Sequence, residues 1–185
     1  MKILFSPVGN TDPISENNLY DGAMLHICRH YDIDKVYMYM SKQIFEKEKV
    51  DHRFTKIIDK LSEKKGGNKK IEWEILHSHI QNVYEFDKFI PEFRKNIKQI
   101  MEENPDAQLY LNASSGTPGM KSAIVVLGTF GEYENTIIQV TDPNEGMSTS
   151  SNTRGVKAID VDQMWNDCKD NNAETSGPMS RFSTN

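Results

Sequence analysis

From Ile3 to Val140 the chain alternates between short apolar runs and longer segments whose apolar residues recur at helical spacing. This alternation restricts the fold more than any other feature. Ile3–Val8, Lys35–Met40, Ile71–Leu76, Gln108–Leu111 and Thr136–Val140 read as strands. Between them lie segments of helical period. Leu19, Ala23, Ile27 and Tyr31 mark one face over Glu16–Tyr31. Phe54, Ile57, Ile58 and Leu61 mark a second, and Phe86, Phe89, Ile90, Phe93, Ile97 and Ile100 a third. Met120, Ile124 and Leu127 give the inward face of Pro118–Gly131. Strands separated by single helices cannot pair as hairpins. They predict an α/β fold: a Rossmann-like, doubly wound, mainly parallel sheet with helices on both faces. Val156–Val161 is a candidate sixth strand, and from Asn166 onward the chain is polar and without period. The expected organisation is a ligand-binding domain over residues 1–145, a closing segment at 146–165 and a polar linker or tail at 166–185.

Composition narrows the function. No apolar run approaches the roughly 18 residues of a membrane span, and the short apolar start is broken by Pro7, Gly9, Asn10 and Asp12. The two cysteines, Cys28 and Cys168, are far apart and belong to no metal-ligand pattern, as expected of a cytoplasmic protein. The formal net charge is −5, which speaks against long nucleic acid tracked along its backbone. A phosphate-bearing ligand would be held largely by backbone amides and helix N-termini, and would therefore be small.

In a doubly wound sheet, ligands sit beyond the carboxyl ends of the strands. Four such loops are polar. The first carries Gly9, Asn10, Thr11 and Asp12, where glycine permits unusual backbone and its neighbours offer donors and acceptors. The most informative is Asn112-Ala113-Ser114-Ser115-Gly116-Thr117-Pro118-Gly119-Met120-Lys121. Thr117 suits a helix N-cap and Pro118 the first helical position. The free amides, the hydroxyls of Ser114, Ser115 and Thr117, the close approach allowed at Gly116 and the charge of Lys121 make an anion site. Met120 stands where a Walker A loop needs glycine, and the glycines are mis-spaced for a dinucleotide fingerprint. The third loop holds His77 and His79, two rim histidines too few for a zinc site. The fourth is Thr141–Asn144, expected to close the pocket. A serine-hydrolase reading of Ser114 or Ser115 with His77 and Asp142 lacks the strained Gly-x-Ser-x-Gly elbow.

The segments SPVGNTDP, NASSGTPGMKSA and IIQVTDP, in that order, resemble the CARF domain of the CARF-HEPN ribonucleases of type III-A CRISPR systems over residues 1–145. The resemblance implies a homodimer whose paired strand-end loops bind one ring of 3′,5′-linked adenylates, a second messenger of antiviral defence. Binding would activate HEPN ribonuclease domains in the full-length family. It places Asn10, Thr11 and Asp12 on one wall of the pocket, Asn112, Ser114, Ser115, Gly116 and Thr117 beneath the phosphates, and His79 at the rim. Relatives are tuned to six or to four adenylates, with six favoured here. No arginine is followed by histidine at the HEPN spacing, so the expectation is a sensor without its ribonuclease. Two further classes stay open. One is a metal-independent ring nuclease, with Thr117 and Ser114 stabilising charge and His77 or His79 as base. The other is a plain dimerisation module, which would need a DNA-binding partner domain. No cofactor is expected.

Overall fold

The protein is described by a computed structural model covering residues 1–16, 19–64, 70–81, 85–141, 156–164 and 166–167. Its elements run β1 (Lys2–Pro7), α1 (Ala23–His30), β2 (Lys35–Met40), α2 (Lys42–Asp51), α3 (Arg53–Lys64), β3 (Glu72–His77), α4 (Phe86–Glu103), β4 (Gln108–Asn112), α5 (Pro118–Phe130), β5 (Asn135–Val140) and β6 (Val156–Ala158). The strands form one sheet in the order β3-β2-β1-β4-β5-β6. β1 to β5 are parallel, and β6 joins the edge antiparallel to β5. The α/β, Rossmann-like fold is the one expected from the sequence.

Successive residues of the central strands enter two separate cores, as a two-residue side-chain period requires. Leu4 of β1 and Val36, Met38 and Met40 of β2 pack with Met24 and Ile27 of α1 and Phe54 and Ile58 of α3. Ile3 and Phe5 of β1 and Tyr37 and Tyr39 of β2 pack with Phe89 and Phe93 of α4 and Met120 and Ile124 of α5. Strands covered on both faces lack a polar side, which is why they appear in the sequence as runs without charged residues. Phe5, Tyr39, Phe89 and Phe93 interlock, with the Tyr39 and Phe93 rings 4.7 Å apart and nearly perpendicular. Such edge-to-face pairs contribute about 0.5–1.5 kcal/mol beyond the area they bury. The Tyr39 hydroxyl donates to Glu92 Oε1 at 2.8 Å. Burial is the main cause of its raised pKa, so the phenol stays protonated. β3 is an edge strand, and its Trp73 is 39% exposed. Among the described residues no helix is long and apolar enough to cross a membrane.

Three expectations are corrected. The first helix begins at Ala23, not Glu16. Residues ahead of it fold back through a bridge between Ile14 and Asp21, and Leu19 adopts φ 59° with its side chain 80% exposed. The start is fixed by the Asp12 carboxylate, which accepts from Met24 N at 3.2 Å. Gly22 must lie so close to it that a Cβ there would stand 2.5 Å from Asp12 Oδ1. Second, α2 is a helix the periodicity does not reveal, because only Ile44 and Glu48 of its ten residues are buried. Glu48 belongs to the next helix as much as to its own. Its carboxylate accepts from Phe54 N at 2.9 Å, Thr55 N at 3.3 Å and Thr55 Oγ1 at 2.6 Å, so it caps α3 and places negative charge at that helix's positive end. Third, β6 ends at Ala158, and the backbone at 161–164 and 166–167 is helical where the expected strand and unpatterned tail overlap it. The basic turn around Gly66-Gly67, the loop from Asp142 to Asn144, the Ser148–Thr153 stretch and the tail beyond Asp167 lie outside the described residues.

Candidate ligand-binding cleft

β1 and β4 are neighbours, but the chain leaves β1 toward β2 and leaves β4 toward β5. Their carboxyl-end loops therefore diverge, and a crevice opens between them, as at every topological switch point of an open α/β sheet. At its floor the two loops meet through glycines. A Cβ on Gly9 would lie 3.0 Å from Gly116 N. Gly116 itself has φ +89°, and a Cβ there would lie 2.8 Å from Pro7 Cβ and 2.9 Å from Met120 Sδ.

A buried polar network fixes the geometry of both loops. Asn112 is fully buried. Its Nδ2 donates to Ser6 Oγ and to Ser115 Oγ, each at 2.9 Å, and its Oδ1 accepts from Ser114 N at 2.9 Å. The carboxamide thus staples the end of β1 to the turn after β4. Asp12 does the same within the first loop, accepting from Gly9 N at 3.0 Å while holding the start of α1. Asp12, expected on the pocket wall, and Asn112 and Ser115, expected beneath the phosphates, are all buried. They lie beneath the wall, 3% exposed or less, with their polar atoms engaged inside the protein. Ser114 borders the cleft, but its hydroxyl accepts from Val140 N at 2.8 Å and reaches Val140 O at 3.5 Å, tying the turn to β5. With Ser114 and Ser115 so engaged, and Asp142 outside the described residues, no serine-hydrolase constellation is assembled among the described residues.

Above this network lies an open cleft of about 1200 Å³. The structure brings Gly9, Asn10 and Thr11 together with Ser114, Gly116, Thr117 and Lys121, with His77 at the end of β3 and with His79 from the loop after it. Thr117 is the N-cap of α5, its Oγ1 accepting from Met120 N at 3.4 Å, and Pro118 follows at the first helical position. The amide-rich start of α5 faces the cleft as a site of positive potential. The opposite wall is the part the sequence reading misses. Ser41, Lys42 and Gln43, at the start of α2, line the cleft, and Lys47 donates to Asn10 Oδ1 at 3.2 Å. The signal that could have found this wall is Ser41, an N-cap residue type placed directly after the strand Lys35–Met40. Glu46 also reaches the cleft. A hydrogen bond from Lys49 is the main cause holding its carboxyl below the usual range. Among the described residues no group of three or more His, Cys, Asp or Glu could hold a metal ion. The arrangement offers amides, hydroxyls, carboxamides and lysines around an open volume, a donor set suited to several phosphodiester groups rather than to one buried anion.

The family profile described as the Cas_Csm6 CARF domain matches residues 72–179. The CRISPR system endoribonuclease Csm6 of Mycobacterium tuberculosis (strain ATCC 25618 / H37Rv) is 36% identical over 170 residues, covering 92% of this chain and 39% of that protein. Csm6 of Streptococcus thermophilus is 35% identical over 143 residues, covering 77% of this chain and 31% of that protein. The chain thus spans about two-fifths or less of the length of these relatives. Among solved structures, Enterococcus italicus Csm6 bound to cyclic hexa-2′-fluoro-hexa-dAMP matches with a TM-score of 0.64 and 30% identity, over 98% of this chain and 40% of that one.

Proposed function

Since the chain belongs to the Csm6 family and matches its CARF domain, we propose that its cleft binds a ring of 3′,5′-linked adenylates, cyclic hexaadenylate in preference to cyclic tetraadenylate. In this reading the domain is a cytoplasmic sensor in type III-A CRISPR defence. It forms a homodimer whose two clefts share one ring, and occupancy regulates a HEPN ribonuclease domain of the full-length protein. Residues 1–145 carry the sensor, 146–165 close it, and 166–185 link it onward. The observation that carries the reading is the Gly116–Thr117 turn. It sets the amide-rich start of α5 against an open cleft of about 1200 Å³ at the β1/β4 switch point. The solved relative from Enterococcus italicus, titled as bound to a cyclic hexanucleotide, supports the ligand class. Exposed Val125 and Phe130 on α5 supply apolar surface for a second copy. Calorimetric titration with cyclic hexaadenylate and cyclic tetraadenylate, with sedimentation of the same samples, tests the reading. Binding of the larger ring at one ring per two chains is expected. Failure to bind either ring overturns it.

A second reading rests on Thr117, whose hydroxyl sits at the start of α5 on the cleft wall, with His79 lining the same cleft. In it the domain slowly opens its own ligand. A ribose 2′-oxygen attacks the adjacent phosphorus and loses its proton to a base such as His79. The bond to the 5′-oxygen breaks, that oxygen takes a proton, and a 2′,3′-cyclic phosphate end remains. The start of α5 and Ser114 would stabilise the charge gathering on the phosphate oxygens. Prolonged incubation with each ring and separation of the products decides it. Linear products ending in 2′,3′-cyclic phosphate support cleavage, and intact rings leave a sensor only.

A further inference from the structure

The corner of the cleft between β3 and α2 carries features that phosphate binding does not explain. Three rings stand in series there. Phe45 and His77 have centroids 4.7 Å apart, and His77 and His79 have centroids 5.4 Å apart. The order is imposed from below. Ser78 is 2% exposed, its backbone N donates to Met40 O at 2.9 Å, and its Oγ accepts from Ile80 N at 3.1 Å. With Ser78 pinned inward, His77 and His79 project together on the other side, as alternate residues of an extended segment do. Phe45 backs His77, and His79 is exposed at the open end of the series, on the cleft. Two carboxamides border the same cleft, Gln43 on α2 and Gln81 beyond His79. Both residues are exposed, and among the described residues neither carboxamide is engaged by a hydrogen bond.

An exposed ring on a fixed aromatic support is a stacking platform, and a free carboxamide is the side chain that matches adenine, donating to N7 or N1 and accepting from the N6 amine. We propose that this corner is a base-reading subsite: His79, backed by His77 and Phe45, stacks one adenine of the ring, and Gln43 and Gln81 read its edge. The inference rests on the proposed adenylate ligand and deepens it. The Thr117 side of the cleft holds backbone phosphates that every nucleotide shares, whereas the His79 side distinguishes adenine from other bases. It also assigns His79 a role in recognition that stands apart from any proton transfer.

The test uses the full chain and displacement of a fluorescent cyclic hexaadenylate by two unlabelled rings, cyclic hexaadenylate and a ring of the same size carrying hypoxanthine, which replaces the N6 donor with an oxygen. The wild type is expected to favour the adenine ring by roughly tenfold. A Gln43→Ala, Gln81→Ala double variant should erase that preference, weakening the adenine ring by about tenfold more than the hypoxanthine ring. His79→Ala should weaken both rings by about tenfold, and His79→Phe, which keeps a ring but no imidazole nitrogen, should restore them. All three positions are exposed, so the fold is expected to tolerate these changes, and circular dichroism checks it. A preference that survives the double variant, a neutral His79→Ala, or a His79→Phe as weak as His79→Ala overturns the subsite while leaving the ligand assignment intact. A wild type that binds neither ring rejects the ligand assignment and the subsite together.

Discussion

Replacing Asn112 by alanine separates bracing from ligand contact. The substitution removes three hydrogen bonds of 2.9 Å from a fully buried side chain. Ser6 keeps its bond to Pro7 O at 2.9 Å, but Ser115 and the Ser114 amide lose a partner where little water reaches them. At about 1 kcal/mol net for each bond, the expected loss of unfolding free energy is about 3 kcal/mol. For a domain of this size that lowers the melting midpoint by about 6–12 °C. Urea unfolding followed by circular dichroism measures it, with an unchanged slope confirming a native-state effect. Because Asn112 holds Ser114 and Ser115 without facing the cleft, ligand affinity should fall only through loosening of the turn. Asn112→Asp should restore part of the bonding, since the Ser114 amide keeps its acceptor and the Ser115 hydroxyl can turn to donate, while placing a charge under the anion site. A stability loss below about 0.5 kcal/mol, accompanied by a large loss of affinity, would refute the bracing role and make Asn112 a ligand contact.

Other substitutions test the same floor and wall. Thr117→Ala should destabilise by about 1 kcal/mol through loss of the α5 cap, and Thr117→Ser should recover that stability, so any binding or cleavage defect kept by the serine variant belongs to the threonine methyl group at the cleft. Gly116→Ala should cost more, about 1–3 kcal/mol, because φ +89° disfavours a side chain and the added Cβ would press on Pro7; thermal melts read the difference. The logarithm of ring affinity should fall only shallowly with the logarithm of salt concentration, since amides and hydroxyls do much of the holding and Lys42 and Lys121 are the lysines that line the cleft. A steep slope, or tight binding of long linear RNA, would contradict that.

What could be read from the sequence was chemistry that acts locally. The Gly116-Thr117-Pro118 turn is legible because a cap, a fixed φ and a side-chain-free residue each dictate conformation within three positions. The two-sided cores of β1 and β2 are legible because burial on both faces leaves no charged residue between Ile3 and Val8 or between Val36 and Met40. Features set by distant partners were not legible. The start of α1 depends on Asp12 reaching Met24, 12 positions away, and Asn112 meets Ser6 across 106 positions. A polar residue in a strand-end loop reads as outward-facing, yet at a switch point the parting strands leave room for it to turn in and staple them. α2 escaped because its most buried polar residue, Glu48, breaks the apolar stripe in order to cap α3. With α2 went the whole second wall of the cleft, Lys42 and Gln43 included.

Amide hydrogen exchange of the full chain, read by mass spectrometry with and without saturating cyclic hexaadenylate, locates the ligand on the backbone itself. Exchange is expected to slow at Val8–Thr11 and at Gly116–Lys121, the two loops that form the cleft, and to stay unchanged at the far ends of the strands around Gln108 and Asn135. Ring binding that leaves Gly116–Lys121 exchanging at its original rate, or no binding at all, would show that the β1/β4 cleft is not the sensor site.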